Sequence, residues 1–460
     1  MESPRHPLGS RLAALLVLAT SVLGSCADND DGLRERIAAA GVYSPRRIAG
    51  GQTELVALGQ LLFFDRELSG NRNIACATCH LPPEHAADDH PLGIGEDGSF
   101  LSRGTLEPFN RGAASAFFWD GRLEVRDGRI VSPVPLPEGI DTLLEAQALL
   151  PLLDRHEMRG QDGDLAVDGS PNELAALPDD ASTEIWAAIV ARLLSFAGYR
   201  DAFARAFPTI PLSEIGIVHV ARAIAAFESH LWELTDTAFD NYLAGDEFAL
   251  GPPQRRGALL FFGEAGCARC HRGPLLSDGA FYNIGVPQIG PGRDAAQLDE
   301  GRMLVTGDPR DRFAFRTPAL RNVTLTAPYM HDGAYAFVES ALRHHLDQGT
   351  WMERYDGSEL PSELRGSVHR EATAALRANL ADTTPLRPLS EDDIQDLLVF
   401  LDALTSGVER SVRPNAGIPA AVPSGLPIDG PPGDEFIDAG IPFERPDAGG
   451  PFERSPDGGF

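Results

Sequence analysis

The chain has 460 residues, 43% of them hydrophobic, which is long enough for two domains with cores of their own. Acidic residues outnumber basic ones by 67 to 39, a net charge of −28. That balance sets nucleic acid aside as a partner and favours basic proteins in diffusional encounter. No lysine occurs, so arginine carries every fixed positive side-chain charge, which we read as compositional bias.

Arg5 and Arg11 precede the apolar run 12–23, LAALLVLATSVL, and Gly24, Ser25 and Cys26 follow. This order predicts an export signal over residues 1–25. The run is too short to cross a bilayer, which takes about 20 residues. LGSC at 23–26 resembles the bacterial lipobox, in which the cysteine carries the lipid. Ordinary cleavage leaving Cys26 a free thiol is the alternative, but a lone exposed thiol suits an exported protein poorly. The residue after Cys26 is not Asp, which fits outer-membrane sorting. The expected location is therefore the periplasm, with membrane contact through a lipid anchor. A tether is expected over 26–36.

A first domain is expected over 37–245. It holds GQLLFF at Gly59–Phe64 and NIACATCHLP at Asn73–Pro82. Helical periodicity runs through 183–196, with apolar residues at 185, 186, 189, 190, 193 and 194 and Ser182 as the expected N-cap. A longer amphipathic helix is expected over 212–234. A second domain, 246–410, repeats the pattern with GALLFF at Gly257–Phe262 and GCARCHRG at Gly266–Gly273. Its last helix, 390–404, opens with Ser390 and Asp393 in a capping-box arrangement and carries the stripe Ile394, Leu397, Leu398, Leu401. An apolar helix leading into the same cysteine unit, twice, points to an internal duplication. No run of alternating strands stands out, so the expected class is mainly α. From 411 the chain is rich in Pro, Gly and Asp and repeats PFERPDAGG (442–450) as PFERSPDGG (451–459), the composition of a disordered tail.

Both cysteine units read Cys-x-x-Cys-His: Cys76, Cys79 and His80, then Cys267, Cys270 and His271. Two thiols at this spacing reach the two vinyl groups of one haem, and the adjacent imidazole meets its iron. A zinc ribbon also pairs two such units, but these are 191 residues apart and each is followed by His. A redox dithiol explains one CxxC and has no use for the histidine. The expectation is two covalent c-type haems, with His80 and His271 as proximal ligands.

Further motifs are FWDGR at Phe118–Arg122, EAQALLPLLDRHEM at Glu145–Met158 and RTPALRNVTLTAPYMHDG at Arg316–Gly333. Together with the CxxCH units they resemble the bacterial di-haem cytochrome c peroxidase family, which includes the MauG-type protein-modifying enzymes. The resemblance runs from about Leu55 to Leu404. It implies two cytochrome c-like domains, with hydrogen peroxide reduced at the first haem. Electrons would come from a small redox protein, a cytochrome c or a cupredoxin. In the MauG manner, a partner protein's Trp or Tyr is oxidised instead. A third reading, outside enzymology, is a di-haem electron carrier.

The resemblance also assigns residues. Gln147 and Glu157, ten apart, match the family's distal pair, with Glu157 moving the proton that O–O cleavage requires. Trp119 matches the tryptophan between the haems, although an insertion of roughly Glu124–Gly139, expected as polar surface, separates it from Gln147. The far-side ligand of the second haem falls fourteen residues after His331, on His345, where the family has Met or Tyr. The alternatives are that His345 faces solvent beside His344 or that Met330 ligates. Neither His85 nor His90 sits at the position from which a His blocks the first iron, so an open first haem is expected. The family's calcium would use the carbonyls of Thr326 and Pro328, but Gly104 replaces its Asn ligand.

Overall fold

A computed structural model describes residues 32–45, 53–293, 297–407 and 417–430. The export signal, Cys26 and the 442–459 repeat lie outside the described residues. Helix α1 (32–39) is followed by α2 (Thr53–Phe64), α3 (Cys76–Cys79), α4 (Leu143–Gln147), α5 (Ser182–Ser195), α6 (Ala197–Ala206) and α7 (Ile217–Trp232). Then come α8 (Ala238–Leu243), α9 (Pro252–Phe261), α10 (Met303–Thr306), α11 (Val338–Leu346), α12 (Gln348–Arg354), α13 (Thr373–Leu376) and α14 (Glu391–Asp402). Strands are few and short. β1 (Ala116–Phe117), β2 (Leu123–Arg126) and β3 (Arg129–Val131) form one antiparallel sheet, and β4 (Phe281–Tyr282) pairs with β5 (Phe315–Arg316). The protein is mainly helical, as expected. Among the described residues no helix is long and apolar enough to cross a membrane.

The two GxLLFF segments build two equivalent cores. Each becomes a helix, α2 or α9, crossed at its glycine by a second helix, α7 or α14. A Cβ on Gly59 would fall 1.9 Å from the Ala223 carbonyl oxygen, and one on Gly257 would fall 1.9 Å from that of Asp396. The phenylalanines then pack alike. Phe63 lies 5.3 Å from Phe227, and Phe261 lies 5.2 Å from Phe400. The same two rings back the histidines of the CxxCH units, Phe63 at 6.5 Å from His80 and Phe261 at 6.4 Å from His271. One prediction follows from the crossings. Gly59→Ala or Gly257→Ala drives a methyl into a backbone carbonyl that has no room to yield, so each should cost about 3 kcal/mol, the upper end for overpacking. Denaturant unfolding of the single variants measures this directly.

The structure corrects several expectations. Phe239 and Tyr242 of α8, on the first side of the boundary expected at 245/246, pack in the second core. The tether expected over 26–36 gives way by residue 32 to α1, whose Leu33 and Ile37 are buried in that second core. Residues 417–430 of the expected disordered tail are ordered on the first core. Ile418 and Val422 are buried there, Gln60 Nε2 donates to the Gly417 carbonyl (3.0 Å), and Ser424 Oγ donates to Asp65 (2.7 Å). A Pro/Gly-rich segment cannot bury enough of itself to fold alone. It can still lay two apolar side chains on a core that exists already.

Ser182 is the first residue of α5, not its cap; Ala181 holds the cap position without a side-chain bond. The helix expected from 212 begins as a single 3-10 turn, Leu212–Glu214, and becomes α-helical only at Ile217. Ser390 does cap α14, with Asp393 completing the box. The insertion after FWDGR is a β-hairpin on β2 and β3. Its turn is Asp127–Gly128, both left-handed (φ 52° and 73°), the pairing that two-residue hairpins favour. The hairpin is also tied across the molecule, since Arg302 Nη2 donates to both oxygens of Glu124 at 2.8 and 2.9 Å.

Candidate active site

FWDGR occupies the loop between β1 and β2, and its backbone is shaped by what surrounds it. Phe118 sits at φ 63°, a left-handed conformation that is costly for an aromatic residue. Three interactions hold it. The Arg122 guanidinium stacks on the Phe118 ring at 3.7 Å, Arg316 Nε donates to the Phe118 carbonyl at 3.0 Å, and the Arg316 amide donates to the Trp119 carbonyl at 2.8 Å. Trp119 Nε1 donates to the Gly104 carbonyl at 3.0 Å. Asp120 pairs with Arg103 at 2.6 Å, and Arg103 also forks onto Asp299 at 2.6 and 2.9 Å. Burial works against the Asp120 carboxylate, yet Arg103 and Arg122 hold its pKa well below the usual range. This charge network fixes the indole between the two halves of the chain.

The distal segment is built by caps. Thr142 and Glu145 box the start of α4, which ends at Gln147. Pro151 starts a 3-10 turn, and Asp154 then accepts from the amides of His156 (2.9 Å) and Glu157 (3.1 Å) to open a single π-helical turn, Arg155–Arg159. Such turns redirect side chains and recur at functional sites. Gln147, His156 and Glu157 line a cavity of about 480 Å³ together with Cys79, His80 and Trp119. Burial, reinforced by Asp154, pushes the Glu157 pKa up to about 7 against the opposing pull of Arg122 and Arg293. His85 and His90 are not on this wall. Sequence reasoning missed Arg122, His156, Glu228 and Arg293, which are. Glu228, on α7, is buried, has its Oε2 covered without a partner, and has its pKa pushed up to about 8 by burial.

His80 Nδ1–H donates to the Ala86 carbonyl (3.2 Å), and burial holds the imidazole neutral with its pKa lowered. That bond turns Nε2 outward as a lone-pair donor. The second unit repeats it, with His271 Nδ1–H donating to Leu276 (2.9 Å) and burial lowering its pKa to about 4. His271 and His345 line a second, mainly apolar cavity with their ring centres 6.3 Å apart. His345 Nδ1–H donates to the Ala341 carbonyl at 2.8 Å. Its neighbour His344 is committed elsewhere. It accepts from Tyr335 OH and donates to the Ile284 carbonyl, both at 2.8 Å. Met330 also reaches this cavity. Trp119 lines both cavities, and it meets His331 edge-on at 6.4 Å.

With this geometry, comparison with known proteins is decisive. Residues 53–248 match the family model of the di-haem cytochrome c peroxidases. Methylamine utilization protein MauG of Methylorubrum extorquens is 31% identical over 329 residues, covering 72% of this chain and 79% of its own. The chain belongs to the di-haem cytochrome c peroxidase and MauG family. Cytochrome c551 peroxidase of Pseudomonas aeruginosa is 30% identical over 357 residues, covering 78% of this chain and 80% of its own. A crystal structure of a MauG-like protein associated with microbial copper homeostasis aligns with a TM-score of 0.57 at 27% identity, over 81% of this chain and 96% of that one. The di-haem peroxidase BthA of Burkholderia thailandensis aligns at 0.53 with 21% identity, over 81% and 90%, which speaks to the fold. Family membership makes the protein an oxidoreductase of the cytochrome-c peroxidase type.

The residues of both sites suit c-type haems. Burial pushes the thiol pKa values of Cys76 and Cys267 up to about 12, and that of Cys79 higher still. Thioether bonds need no thiolate in the finished protein, so buried, neutral thiols are compatible with haem attachment. Metal–imidazole bonds of about 2.0–2.1 Å put two rings that share one ion about 6 Å apart, centre to centre. The His271–His345 spacing meets that requirement. The calcium donor set is weaker. Thr326 and Pro328 offer carbonyls, but Gly104 brings no side-chain oxygen and its carbonyl already serves Trp119. A hard cation wanting six to eight oxygens is poorly served here.

Proposed function

We propose that the chain is a periplasmic di-haem peroxidase, lipid-anchored through Cys26, with two cytochrome c-like domains. Cys76 and Cys79 would attach the first haem and Cys267 and Cys270 the second. His80 would ligate the first iron, and His271 with His345 the second. When bound, the first haem supplies an iron to which hydrogen peroxide can bind and be reduced. Everything else falls to the chain. Glu157 takes the proton from the inner peroxide oxygen and returns it to the outer one, and Gln147 orients the peroxide beside it. Trp119 carries electrons between the cavities. When bound, the second haem would take its electrons from a small redox protein. Calcium at Thr326 and Pro328 is not needed for any of these steps.

The single observation that carries this reading is Glu157. A carboxyl with its pKa near 7 shares one cavity with His80 and Gln147, poised to accept and return a proton at neutral pH. A pure electron carrier has no use for such a group. The His271–His345 pair favours a second reading within the same chemistry. Two imidazoles favour the oxidised iron more than a His/Met pair does. That suits oxidation of a partner protein's Trp or Tyr, as does the identity with MauG.

Rapid mixing of the oxidised, haem-loaded protein with peroxide tests the open first site. The haem spectrum should change at once, with no reductant present. A spectrum that responds only after reduction would mean a blocked first iron and would overturn this reading of the site.

A further inference from the structure

The two helix crossings fix a register between the halves of the chain. A Cβ on Gly59 would lie 2.8 Å from Phe227 Cβ, and one on Gly257 would lie 2.7 Å from Phe400 Cβ. Phe227 and Phe400 are therefore equivalent, and so are the residues after them, Glu228 and Leu401. Both residues line the cavities of their own halves. Leu401 gives the second cavity an apolar wall, which is what a porphyrin edge requires of a packing residue. The first cavity has a carboxyl at the same place.

That carboxyl does nothing evident for the fold. Glu228 is 8% exposed, its Oε2 is covered without a hydrogen-bond partner, and burial is the one influence acting on its proton. A buried, unpartnered acid destabilises the fold that holds it. Arg111, on the same wall, donates to Glu107 through Nε and Nη2 and keeps a buried Nη1 without a partner, and Glu145 of α4 pairs with Arg222. On the 154–159 turn, Asp154 caps the backbone, and His156 and Glu157 face the cavity. Arg103, Arg122 and Arg293 are fixed cations on the same wall. Residues 60–64 of α2, QLLFF, bring no titratable group.

We propose that Glu228 is a redox-linked proton site of the first haem, one that the second haem lacks. It releases its proton when the iron beside it loses an electron and takes one up when the iron regains it. The physical reason is charge. In a low-dielectric cavity an added positive charge favours the ionised carboxyl, and a proton leaving with the electron keeps the net charge of the site constant. Burial alone sets the proton affinity high enough to hold it near neutrality until then. The step balances with the proposed chemistry. Hydrogen peroxide takes two electrons and two protons to give two waters, the electrons coming from the external redox protein and the protons ultimately from solvent. Glu228 stores one of those protons inside the cavity. The inference rests on the assignment of a haem to His80, but not on that haem reacting with peroxide.

The test is the potential of each haem, by optical redox titration of the haem-loaded full chain at several pH values around neutrality. One proton per electron lowers the electron affinity of the first haem by about tenfold per pH unit as pH rises. We expect this dependence to persist in Glu157→Gln, and to be lost when Glu228→Gln or Glu228→Leu is added to that variant, which removes the other high-pKa carboxyl of the cavity. The glutamine variant keeps the shape, and the leucine variant copies the natural residue of the twin site. Leu401→Glu should install the same dependence on the second haem. A first-haem pH dependence that survives in both double variants overturns the proposal. Loss of the dependence in a protein that ignores peroxide would leave Glu228 in this role and remove the peroxidase reading instead.

Discussion

Replacing Glu157 with Gln will lower peroxide-dependent turnover of the haem-loaded protein by about 10²–10⁴-fold, the range that one positioned acid–base group supplies. The substitution keeps the size of the side chain and its place on the π-helical turn, where Asp154 bonds the backbone amide of residue 157 and not its side chain. What it removes is a group able to take a proton and give it back. The pH dependence provides a second check. Burial puts the Glu157 pKa at about 7, so the carboxylate, the form that accepts the first proton, is scarce at pH 6 and dominant at pH 8. The rate constant for peroxide should therefore rise across that interval in the wild type. In Glu157→Gln that rise should vanish while the haem spectrum of the resting protein stays the same.

The second large effect is expected at His345. Removing its imidazole with His345→Ala opens the far side of the second iron. The low-spin, two-imidazole signature should be lost and the potential should rise, within the roughly 0.8 V that axial ligation spans. The adjacent His344→Ala is the control. His344 already spends both nitrogens, on Tyr335 and Ile284, at 2.8 Å each. Its loss leaves buried polar groups without partners and should cost about 1–3 kcal/mol of stability, with the haem spectrum unchanged. Optical and electron-spin spectra of the two variants separate the roles. If His344→Ala changes the second haem and His345→Ala does not, the ligand has been assigned to the wrong histidine.

The residues easiest to read in the sequence were those whose chemistry is local. CxxCH needs two thiols and an imidazole within five residues, and Ser390 with Asp393 boxes the start of α14 within four residues. The pairing of Gln147 with Glu157 was legible only through the family resemblance; the structure adds that both sit on short capped turns joined by Pro151. Tertiary neighbours were not legible. Arg293 reaches the first cavity from more than a hundred residues beyond Glu157. Glu228 looked like one polar residue in an amphipathic helix until the crossing at Gly59 gave it Leu401 as a counterpart. The choice of His345 over His344 came from the count after His331 that the resemblance supplies; the helical stripe alone does not say which faces a cavity, because adjacent positions on a helix point about 100° apart. Two signals were present and misread. Asp127–Gly128 is a hairpin turn inside what looked like a polar insertion. Composition marked 417–430 as unable to fold alone, and it does not fold alone.

The central claim is that peroxide is reduced in the cavity that Glu157 shares with His80. The most direct test mixes the haem-loaded protein with hydrogen peroxide and reduced cytochrome c and follows cytochrome oxidation optically. The account predicts fast oxidation that stops when peroxide is exhausted, with two cytochromes consumed per peroxide. Slow cytochrome oxidation after a prompt change in the protein's own haem spectrum would shift the account to oxidation of a partner protein. No spectral change and no oxidation would contradict it.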